Sequence, residues 1–287
     1  MDKHKVVVLG SNGFIGKNIV EYLLARDYFV LEPKRQELDL LDTKQVFVYI
    51  SMHKPDIVIH SAVNINSVID NARIYFNLER CSQFFGRMIT IGSGAEYDLR
   101  NYEPMMKESF FSENIPSDVY GLSKYIVSRD IELNPRNIVN FRVFGIFGKY
   151  EDFSRRFISN NICRAIAGLG ISMNKNMKFD FLYINDFLKI LELFFEKNLN
   201  HTNYNVCSGN AVELLEIAGI INKIHSNGKD EIKVKETGFN PEYSGDNSRL
   251  LNEFEMIRFS SLQDSIKELY NWYQTSPNIK QYCEKLS

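Results

Sequence analysis

A tyrosine and a lysine stand four residues apart in DVYGLSKYIVS, residues 118–128. The segment reads as a helix, and positions i and i+4 share one helix face, so the Lys124 ammonium can lie near the Tyr120 phenol. A nearby ammonium is expected to lower the phenol pKa from about 10 and make it a usable proton donor near neutral pH. Because the chain has 15 tyrosines, the pair can also arise by chance, and the spacing alone does not separate chemistry from two helix neighbours.

A glycine-rich loop, GSNGFIG, follows the first apolar run and opens a helix. Between a strand and a helix, glycines at Gly10, Gly13 and Gly16 allow a tight turn, close approach of a pyrophosphate, and close helix–strand packing. The phosphates would lie at the helix N-terminus, where backbone amides are unpaired. The loop therefore predicts a dinucleotide site, formed by Gly10, Ser11, Asn12, Gly13, Phe14 and Ile15.

The segment LEPKRQELDLLD, after the second apolar run, decides which dinucleotide is expected. An enzyme that selects NAD usually has Asp or Glu there to hold the ribose hydroxyls. Lys34 and Arg35 instead suit a 2′-phosphate, so the predicted cofactor is NADPH, with NADH less favoured. Two alternatives stay open: Glu32 is the ribose acid, or Lys34 and Arg35 are solvated loop residues.

Strand and helix signals alternate through the first half of the chain. Continuous apolar runs predict strands at 5–10, 28–32, 56–62, 87–93, 137–145 and 202–209, and helical stripes predict helices that include 14–27, 43–53, 155–168 and 261–274. Repeated β-α-β units predict an α/β fold: a doubly wound parallel sheet (Rossmann) with a smaller interleaved α/β substrate lobe. The expected division is a dinucleotide-binding domain at 1–148, with returning segments at about 182–209, and a substrate lobe at 149–181 and 210–287.

Bulk composition excludes several classes of function. The net charge is −2, so no basic patch is expected for nucleic acid or an anionic membrane surface. No apolar run approaches ~18 residues, which predicts no membrane span, and the first apolar run leads straight into glycines as a strand, not as a signal peptide. The scattered cysteines, without metal-ligand spacing, predict free buried thiols in a reducing cytoplasm and no metal site. They are Cys81, Cys163, Cys207 and Cys283.

Taken together, these motifs resemble the extended short-chain dehydrogenase/reductase (NAD-dependent epimerase/dehydratase) family. The glycine loop, VIHSAV, IGSGAEYD and YGLSK occur in that family's order and spacing. FRVFGIFGKYEDF and FDFLYINDF look like its later motifs, so the resemblance covers nearly the whole chain. The pattern is nearest to the branch of GDP-fucose synthases and dTDP-4-dehydrorhamnose reductases, which use NADPH on nucleotide sugars.

The resemblance implies a catalytic trio of Ser93, Tyr120 and Lys124. Ser93 would hydrogen-bond the reacting oxygen, Tyr120 would transfer the proton, and Lys124 would hold the nicotinamide ribose and keep the phenol acidic. Tyr120 and Lys124 therefore count as cofactor-binding residues too. The remaining cofactor contacts that the resemblance implies are Asp39 and Leu40 at the adenine, and Ser61, Ala62 and Val63 beneath the nicotinamide.

The resemblance also implies a nucleotide-sugar substrate and a homodimer. The expected substrate contacts are Ser93, Gly94, Glu96, Gly145 and Arg156. Two of these have a plainer alternative: Glu96 as an ordinary loop carboxylate and Arg156 as a surface charge. Gly145 stands where the family usually has asparagine, which weakens the transfer of substrate contacts to this chain. Phe179 stands where many relatives carry arginine, so diphosphate contacts are expected to differ in this chain.

Departures from the family pattern narrow the range of reactions expected of this chain. Nucleotide-sugar 4,6-dehydratases carry an acid pair where this chain has Gly94 and Ala95, and GDP-fucose synthases carry a cysteine and a histidine where it has Ala95 and Tyr150. The remaining expectation is NADPH-dependent reduction of the C4 ketone of a nucleotide-linked 4-keto-6-deoxy sugar. C3/C5 epimerisation is not expected, and the expected setting is surface-polysaccharide sugar biosynthesis in the cytoplasm. An NAD-dependent C4 epimerase stays open, and so does a non-catalytic cofactor-binding scaffold.

Overall fold

The computed structural model of the protein describes residues 4–285, without the side chains of Lys280 and Cys283. Numbered in chain order, the strands are β1 (Lys5–Leu9), β2 (Phe29–Leu31), β3 (Ile57–His60), β4 (Arg87–Ile91), β5 (Ile138–Val143), β6 (Gly145–Phe147), β7 (Ile171–Met173), β8 (Lys178–Tyr183), β9 (Asn203–Val206), β10 (Ala211–Glu213) and β11 (Ile232–Val234). The α-helices are α1 (Phe14–Leu24), α2 (Thr43–His53), α3 (Val68–Glu79), α4 (Val119–Leu133), α5 (Phe157–Ile166), α6 (Ile184–Leu193), α7 (Leu214–Ser226), α8 (Ser248–Glu253), α9 (Leu262–Thr275) and α10 (Ile279–Glu284).

Six parallel strands form the central sheet, in the order β2-β1-β3-β4-β5-β9. Along β1, Val6 and Val8 face the core cluster that includes α1 and α6, whereas Val7 and Leu9 face the cluster that includes α2, α3 and α4. Both faces of the sheet are therefore covered by helices, as continuous apolar strands require. The predicted doubly wound Rossmann fold is confirmed.

The strand order reverses at β1, because β2 pairs on one side of β1 and β3 on the other. In open parallel sheets this switch point opens a crevice at the carboxyl ends of the strands, where ligands bind. The glycine loop follows β1 directly, and the segment Ser61–Val63 follows β3. The topology alone thus brings two predicted cofactor segments to the same crevice.

A smaller lobe holds a three-stranded sheet, β10-β8-β6, and a two-stranded sheet, β11-β7. The predicted strand 137–145 divides here: β5 stays in the central sheet, while β6 joins β8. After this lobe begins, the chain returns to the central sheet, where β9 pairs with β5. Helix α5 packs against α7, α9 and α10 to close the lobe.

Two further expectations concern cysteines and membranes. Cys81, Cys163 and Cys207 are buried, as predicted, and Cys81 and Cys207 are free thiols, while the Cys283 side chain lies outside the described part of the structure. Among the helices of residues 4–285, none has the length and apolarity needed to cross a bilayer.

A buried ion pair crosses the interior between β5 and the loop after β4. Arg142 Nε lies 2.7 Å from Glu96 Oε2, and the two side chains are 1% and 0% exposed. Asn140 Nδ2 donates to both Glu96 oxygens at 3.1 Å, and Arg142 also donates to Ser128 Oγ on α4 at 2.7 Å. Strand β5, helix α4 and the loop after β4 are therefore joined by one polar network.

We predict that Arg142→Met lowers the free energy of unfolding by about 3–5 kcal/mol, because it leaves the buried Glu96 charge unpaired. Urea denaturation would measure the loss. The matched control is Arg100→Met, since Arg100 pairs with Asp98 at 2.9 Å but is 65% exposed. Its loss should stay within about 1 kcal/mol, and equal losses in the two variants would contradict a special role for the buried pair.

Candidate functional site

Ser93 sits two residues beyond β4, at the start of a short 3₁₀ helix, Gly94–Glu96. Its hydroxyl accepts a hydrogen bond from the Ala95 amide at 3.1 Å, and its own amide donates to Glu96 Oε1 at 3.0 Å. This reciprocal capping box satisfies amides that the helix start would otherwise leave free. Ser93 is thereby held in place at the carboxyl end of the central sheet.

Helix α4 brings Tyr120 and Lys124 to Ser93. Asp118 begins the helix by accepting a hydrogen bond from the Gly121 amide at 2.7 Å. The Ser93 hydroxyl lies near enough to the Tyr120 phenol to lower its pKa, and Lys124 Nζ donates to the Ile91 carbonyl at the end of β4, at 2.6 Å. The three residues of the predicted trio therefore lie together.

The electrostatics of the trio differ from the expectation. Burial raises the Tyr120 pKa above its usual value, and the nearby Ser93 hydroxyl and the Arg156 charge offset that rise only in part. Lys124 Nζ lies 5.9 Å from the centroid of the Tyr120 ring, and burial lowers the lysine pKa to about 8. The direction of the Tyr120 pKa shift is therefore opposite to the one expected from a neighbouring Lys124, because burial is its largest cause.

A cavity of about 380 Å³ opens at the switch point of the sheet. Its walls include most of the residues predicted to bind the cofactor: Gly10, Ser11, Asn12, Gly13, Lys34, Arg35, Asp39, Leu40, Ser61, Ala62 and Val63. The side chains of Phe14 and Ile15 pack against the main core instead. Any cofactor contact of these two residues thus comes from their backbone amides in the first turn of α1.

The glycine loop fits a dinucleotide. A Cβ on Gly16 would lie 2.2 Å from the Gly10 carbonyl oxygen, so α1 can approach the loop only with glycine there. A Cβ on Gly13 would meet only that carbonyl, at 3.4 Å, so the open side of Gly13 leaves space against the backbone for a phosphate. In the described structure no side chain caps α1, whose first amides remain available to an anion.

Lys34 links the two segments on which cofactor choice depends. Its Nζ lies 2.7 Å from Glu32 Oε2 and 3.3 Å from Ser11 Oγ in the glycine loop. Glu32 directly follows β2 and is about 40% exposed, as is Lys34. Lys34 and Arg35 are among the residues that line the cavity, whereas Glu32 is not among them.

The predicted substrate residues do not all face one cleft. Arg156 is an exposed residue at the start of α5, close enough to Tyr120 for its charge to lower the phenol pKa. Gly145 begins β6 and lies under the Phe179 ring, which would be 2.2 Å from an added Cβ. The prediction for Glu96 needs correction: each of its buried oxygens already accepts two hydrogen bonds, from Ser93, Asn140 and Arg142, so it is not a substrate contact.

An aromatic cluster beside the trio was missing from the sequence-based prediction. The Tyr243 ring stacks on Tyr102, with centroids 5.1 Å apart, and lies 5.0 Å from Phe179 and 5.3 Å from Phe144. These residues come from four separate segments, and no motif or spacing in the sequence joins them. Only the three-dimensional arrangement identifies them as a wall of the site.

Tyr150 lies outside the trio. Its hydroxyl donates to Glu21 Oε1 on α1 at 2.7 Å, and its ring contacts Trp272. Burial and the Glu21 carboxylate raise the Tyr150 pKa to about 12, so this phenol stays protonated at neutral pH.

A parallel sheet with a glycine loop beside a Ser-Tyr-Lys cluster defines a nicotinamide-dependent Rossmann protein. A family model described as "NAD dependent epimerase/dehydratase family" matches residues 6–207, and the chain belongs to that family.

Two curated relatives match most of the chain. GDP-L-colitose synthase of Yersinia pseudotuberculosis is 23% identical over 254 residues, which cover 77% of this chain and 82% of that protein. GDP-6-deoxy-D-talose 4-dehydrogenase of Aggregatibacter actinomycetemcomitans is 25% identical over 289 residues, covering 93% and 97%.

Solved structures share the fold at low identity. GDP-mannoheptose C4 reductase from Campylobacter jejuni, with NADP bound, has a TM-score of 0.79 and 20% identity, and the match covers 96% of this chain and 99% of that one. The Bordetella bronchiseptica enzyme WbmG, in complex with NAD, has a TM-score of 0.80 and 19% identity, covering 95% and 94%. Proteins of this fold thus carry either nicotinamide cofactor.

We predict that NADPH binds more weakly as the pH rises through about 8. Burial holds the Lys124 pKa near that value. When the ammonium loses its proton, its hydrogen bond to the cofactor is no longer charge-assisted, which should lower the affinity for NADPH about tenfold. Neighbouring His60 does not interfere, since burial lowers its pKa to about 3. Fluorescence titrations between pH 6 and 10 would measure the affinity.

The control for this titration is Lys124→Met, whose NADPH affinity should be weak at low pH and should lack the step near pH 8. Tyr120 does not account for a step there, because burial raises its pKa above 10. Affinity that stays constant to pH 10 in the unmodified protein would contradict the prediction.

Proposed function

We propose that the protein reduces the C4 ketone of a nucleotide-linked 4-keto-6-deoxy sugar with NADPH, leaving C3 and C5 untouched. The observation that carries the proposal is the close grouping of Ser93, Tyr120 and Lys124, with Ala95 and Tyr150 at the positions where GDP-fucose synthases carry their acid–base pair. The relatives named above act on GDP-linked sugars by their names, and one neighbour is named as a C4 reductase. GDP is therefore the first nucleotide to test.

The trio supplies what a ketone reduction needs from the protein. Ser93 and Tyr120 present two hydroxyls to one oxygen atom, and Tyr120 is protonated at neutral pH because burial raises its pKa. Tyr120 can therefore give a proton to the alkoxide oxygen as it forms. The Lys124 ammonium offers charge and a hydrogen bond to the ribose. Bound NADPH supplies the hydride.

The absence of epimerisation follows from the residues at two positions. Epimerisation next to a ketone needs one group to remove the C3 or C5 proton and another to return it. Ala95 has no titratable atom, and Tyr150 is held by Glu21, away from the trio. Glu96, three residues after Ser93, is fully buried against Arg142.

NADPH is the proposed cofactor on the basis of charge at the cavity wall. Lys34 and Arg35 line the cavity and offer two positive charges to a 2′-phosphate. The Glu32 carboxylate is already paired with Lys34 at 2.7 Å, which reduces its repulsion of a phosphate.

The wider setting is also part of the proposal. We place the reaction in surface-polysaccharide sugar biosynthesis in the cytoplasm, with Arg156 contacting the sugar diphosphate. A homodimer is supported by exposed apolar side chains on α3, where Ile69 is 78% and Phe76 is 42% exposed. Light scattering would test the dimer, and the mass of a monomer would contradict it.

We predict that NADPH binds at least tenfold more tightly than NADH, and that Lys34→Gln removes most of the difference. A charge-assisted bond to phosphate contributes roughly 1.5–3 kcal/mol, whereas NADH has no 2′-phosphate for Lys34 to hold. Fluorescence titration with both cofactors would measure it. Lys44→Gln, which changes an exposed lysine on α2, should alter neither affinity, and a preference for NADH would identify Glu32 as the selector.

We predict that Tyr120→Phe lowers turnover by about 10²–10⁴ while NADPH binding is kept, because a positioned acid contributes that much. The assay is NADPH consumption over a panel of 4-keto-6-deoxy sugars linked to GDP, dTDP and UDP. Tyr125→Phe is the matched control, since its hydroxyl lies on the same helix but contacts Ser112. Near-normal turnover in Tyr120→Phe would mean that Tyr120 and Lys124 are only helix neighbours.

The same assay run in heavy water separates the alternatives. Reduction without epimerisation leaves C3 and C5 of the product free of deuterium beyond an enzyme-free control, as NMR would show. Deuterium at either carbon would reveal an acid–base pair outside the trio. Interconversion of C4 epimers without net consumption of cofactor would instead establish the epimerase alternative.

A further inference from the structure

Residues 148–156 connect β6 to α5 and end at Arg156; we call them the linking segment. Their last turn is closed by a backbone hydrogen bond, in which the Arg156 amide donates to the Asp152 carbonyl at 3.0 Å. Within the segment, the buried Glu151 side chain accepts a hydrogen bond from the Ser159 hydroxyl on α5. The linking segment and the start of α5 are therefore joined into one unit.

The first residues of the linking segment lie against α1. Asn18 is only 1% exposed, and its Nδ2 donates to the Lys149 carbonyl at 2.9 Å. Glu21 accepts from the Tyr150 hydroxyl at 2.7 Å through Oε1, and from Lys149 Nζ through Oε2. Lys17 Nζ lies 3.8 Å from the centroid of the Tyr150 ring, a cation–π contact. Because positions three and four residues apart share a helix face, a single face of α1 makes all these contacts.

The backbone of Tyr150 is strained where these contacts meet. Its φ is +73°, a left-handed conformation that bulky side chains rarely adopt. Such a conformation persists where the surrounding structure fixes it. The Tyr150 side chain is held between Glu21 on α1 and Trp272 on α9, whose ring centroid is 5.2 Å away. The linking segment is thus fastened to α1 by contacts strong enough to keep a strained residue in place.

Helix α1 can therefore serve both ligands of the proposed reaction. Its first amides are available to the phosphates of a dinucleotide, while Asn18 and Glu21, further along the helix, hold the linking segment. A helix of 11 residues is a rigid rod about 16 Å long. The position of Arg156 relative to the cofactor is thus set through α1.

We propose that Asn18 and Glu21 are positioning residues for the sugar substrate: they fasten the linking segment to α1 and so hold Arg156 where it contacts the sugar diphosphate. The inference rests on the proposed function, in which Arg156 makes that contact. Both residues act through the linking segment and not on the substrate itself. Tyr150 thereby contributes to substrate binding as the anchor of the segment.

The test is a double-mutant cycle of Glu21→Ala with Arg156→Gln, assayed by NADPH consumption with the best sugar of the panel. Glu21→Ala alone should raise the KM for the nucleotide sugar about 3–10-fold, the worth of one hydrogen bond. Its kcat and its KM for NADPH should stay within about twofold, because only uniform binding of the sugar is lost. In the Arg156→Gln background, Glu21→Ala should raise the KM no further. An unchanged KM, or the same fold rise in both backgrounds, would overturn the proposal.

The matched control is Glu192→Ala. The Glu192 carboxylate accepts hydrogen bonds from Tyr22 on α1 at 2.7 Å and from Tyr28 at 2.8 Å, and so ties α1 to α6. Its side chain is 31% exposed, against 38% for Glu21, so the two substitutions remove comparable groups. The KM of Glu192→Ala for the sugar should match that of the unmodified protein. An equal rise in the two variants would mean that any loosening of α1 suffices, and would refute a specific role for Glu21.

A second measurement keeps this inference separate from the proposed reaction. Amide hydrogen exchange without substrate reports how firmly the linking segment is held. Peptides that cover residues 149–156 should exchange at least about threefold faster in Glu21→Ala and in Asn18→Ala, but at an unchanged rate in Glu192→Ala. Unchanged exchange in the first two variants would refute the proposal even if no sugar of the panel were reduced. Faster exchange without turnover of any sugar would refute only the reaction.

Discussion

The buried pair of Glu96 and Arg142 is the interaction on which the reactive site depends. Glu96 holds the Ser93 amide on one side and Arg142 on the other, and Arg142 in turn bonds Ser128 on the helix that carries Tyr120. Two charges without solvent exposure are stable only because each is paired and hydrogen-bonded. Because separating these two buried charges would cost free energy, the loop that carries Ser93, β5 and α4 are held in one relative arrangement.

Two kinds of contact then meet at Ser93. From the central domain come local contacts, such as the capping box and the first turns of α4, which form between residues close in sequence. From the small lobe comes Tyr243, whose hydroxyl rests on Gly94, the residue after that serine. The site is thus built at a junction, and neither part of the fold completes it alone. At the cofactor cavity, Lys34 likewise joins two segments, because it bonds both Glu32, which follows β2, and Ser11 in the glycine loop.

The features that were predicted well from the sequence each lie within one continuous segment of the chain. The glycine loop follows a strand directly, and Tyr120 and Lys124 share one helix turn, so local periodicity was enough to place them. Glu96 was misjudged because its partners, Asn140 and Arg142, lie more than 40 residues away on β5. Tyr243 was missed for the same reason. The acidity of Tyr120 was misjudged because burial, which no local pattern reports, decides its direction.

The late return of the chain to the central sheet has a consequence during synthesis. Strand β5 is buried along its whole length in the finished fold, yet its partner β9 is made about 60 residues later. At ~5–20 residues per second, a ribosome needs roughly 3–12 s to cover that distance. For those seconds the side of this six-residue strand that faces away from β4 has no neighbour, and such open edges pair with other chains. The order of synthesis therefore leaves the nascent protein open to association with other chains until β9 takes its place beside β5.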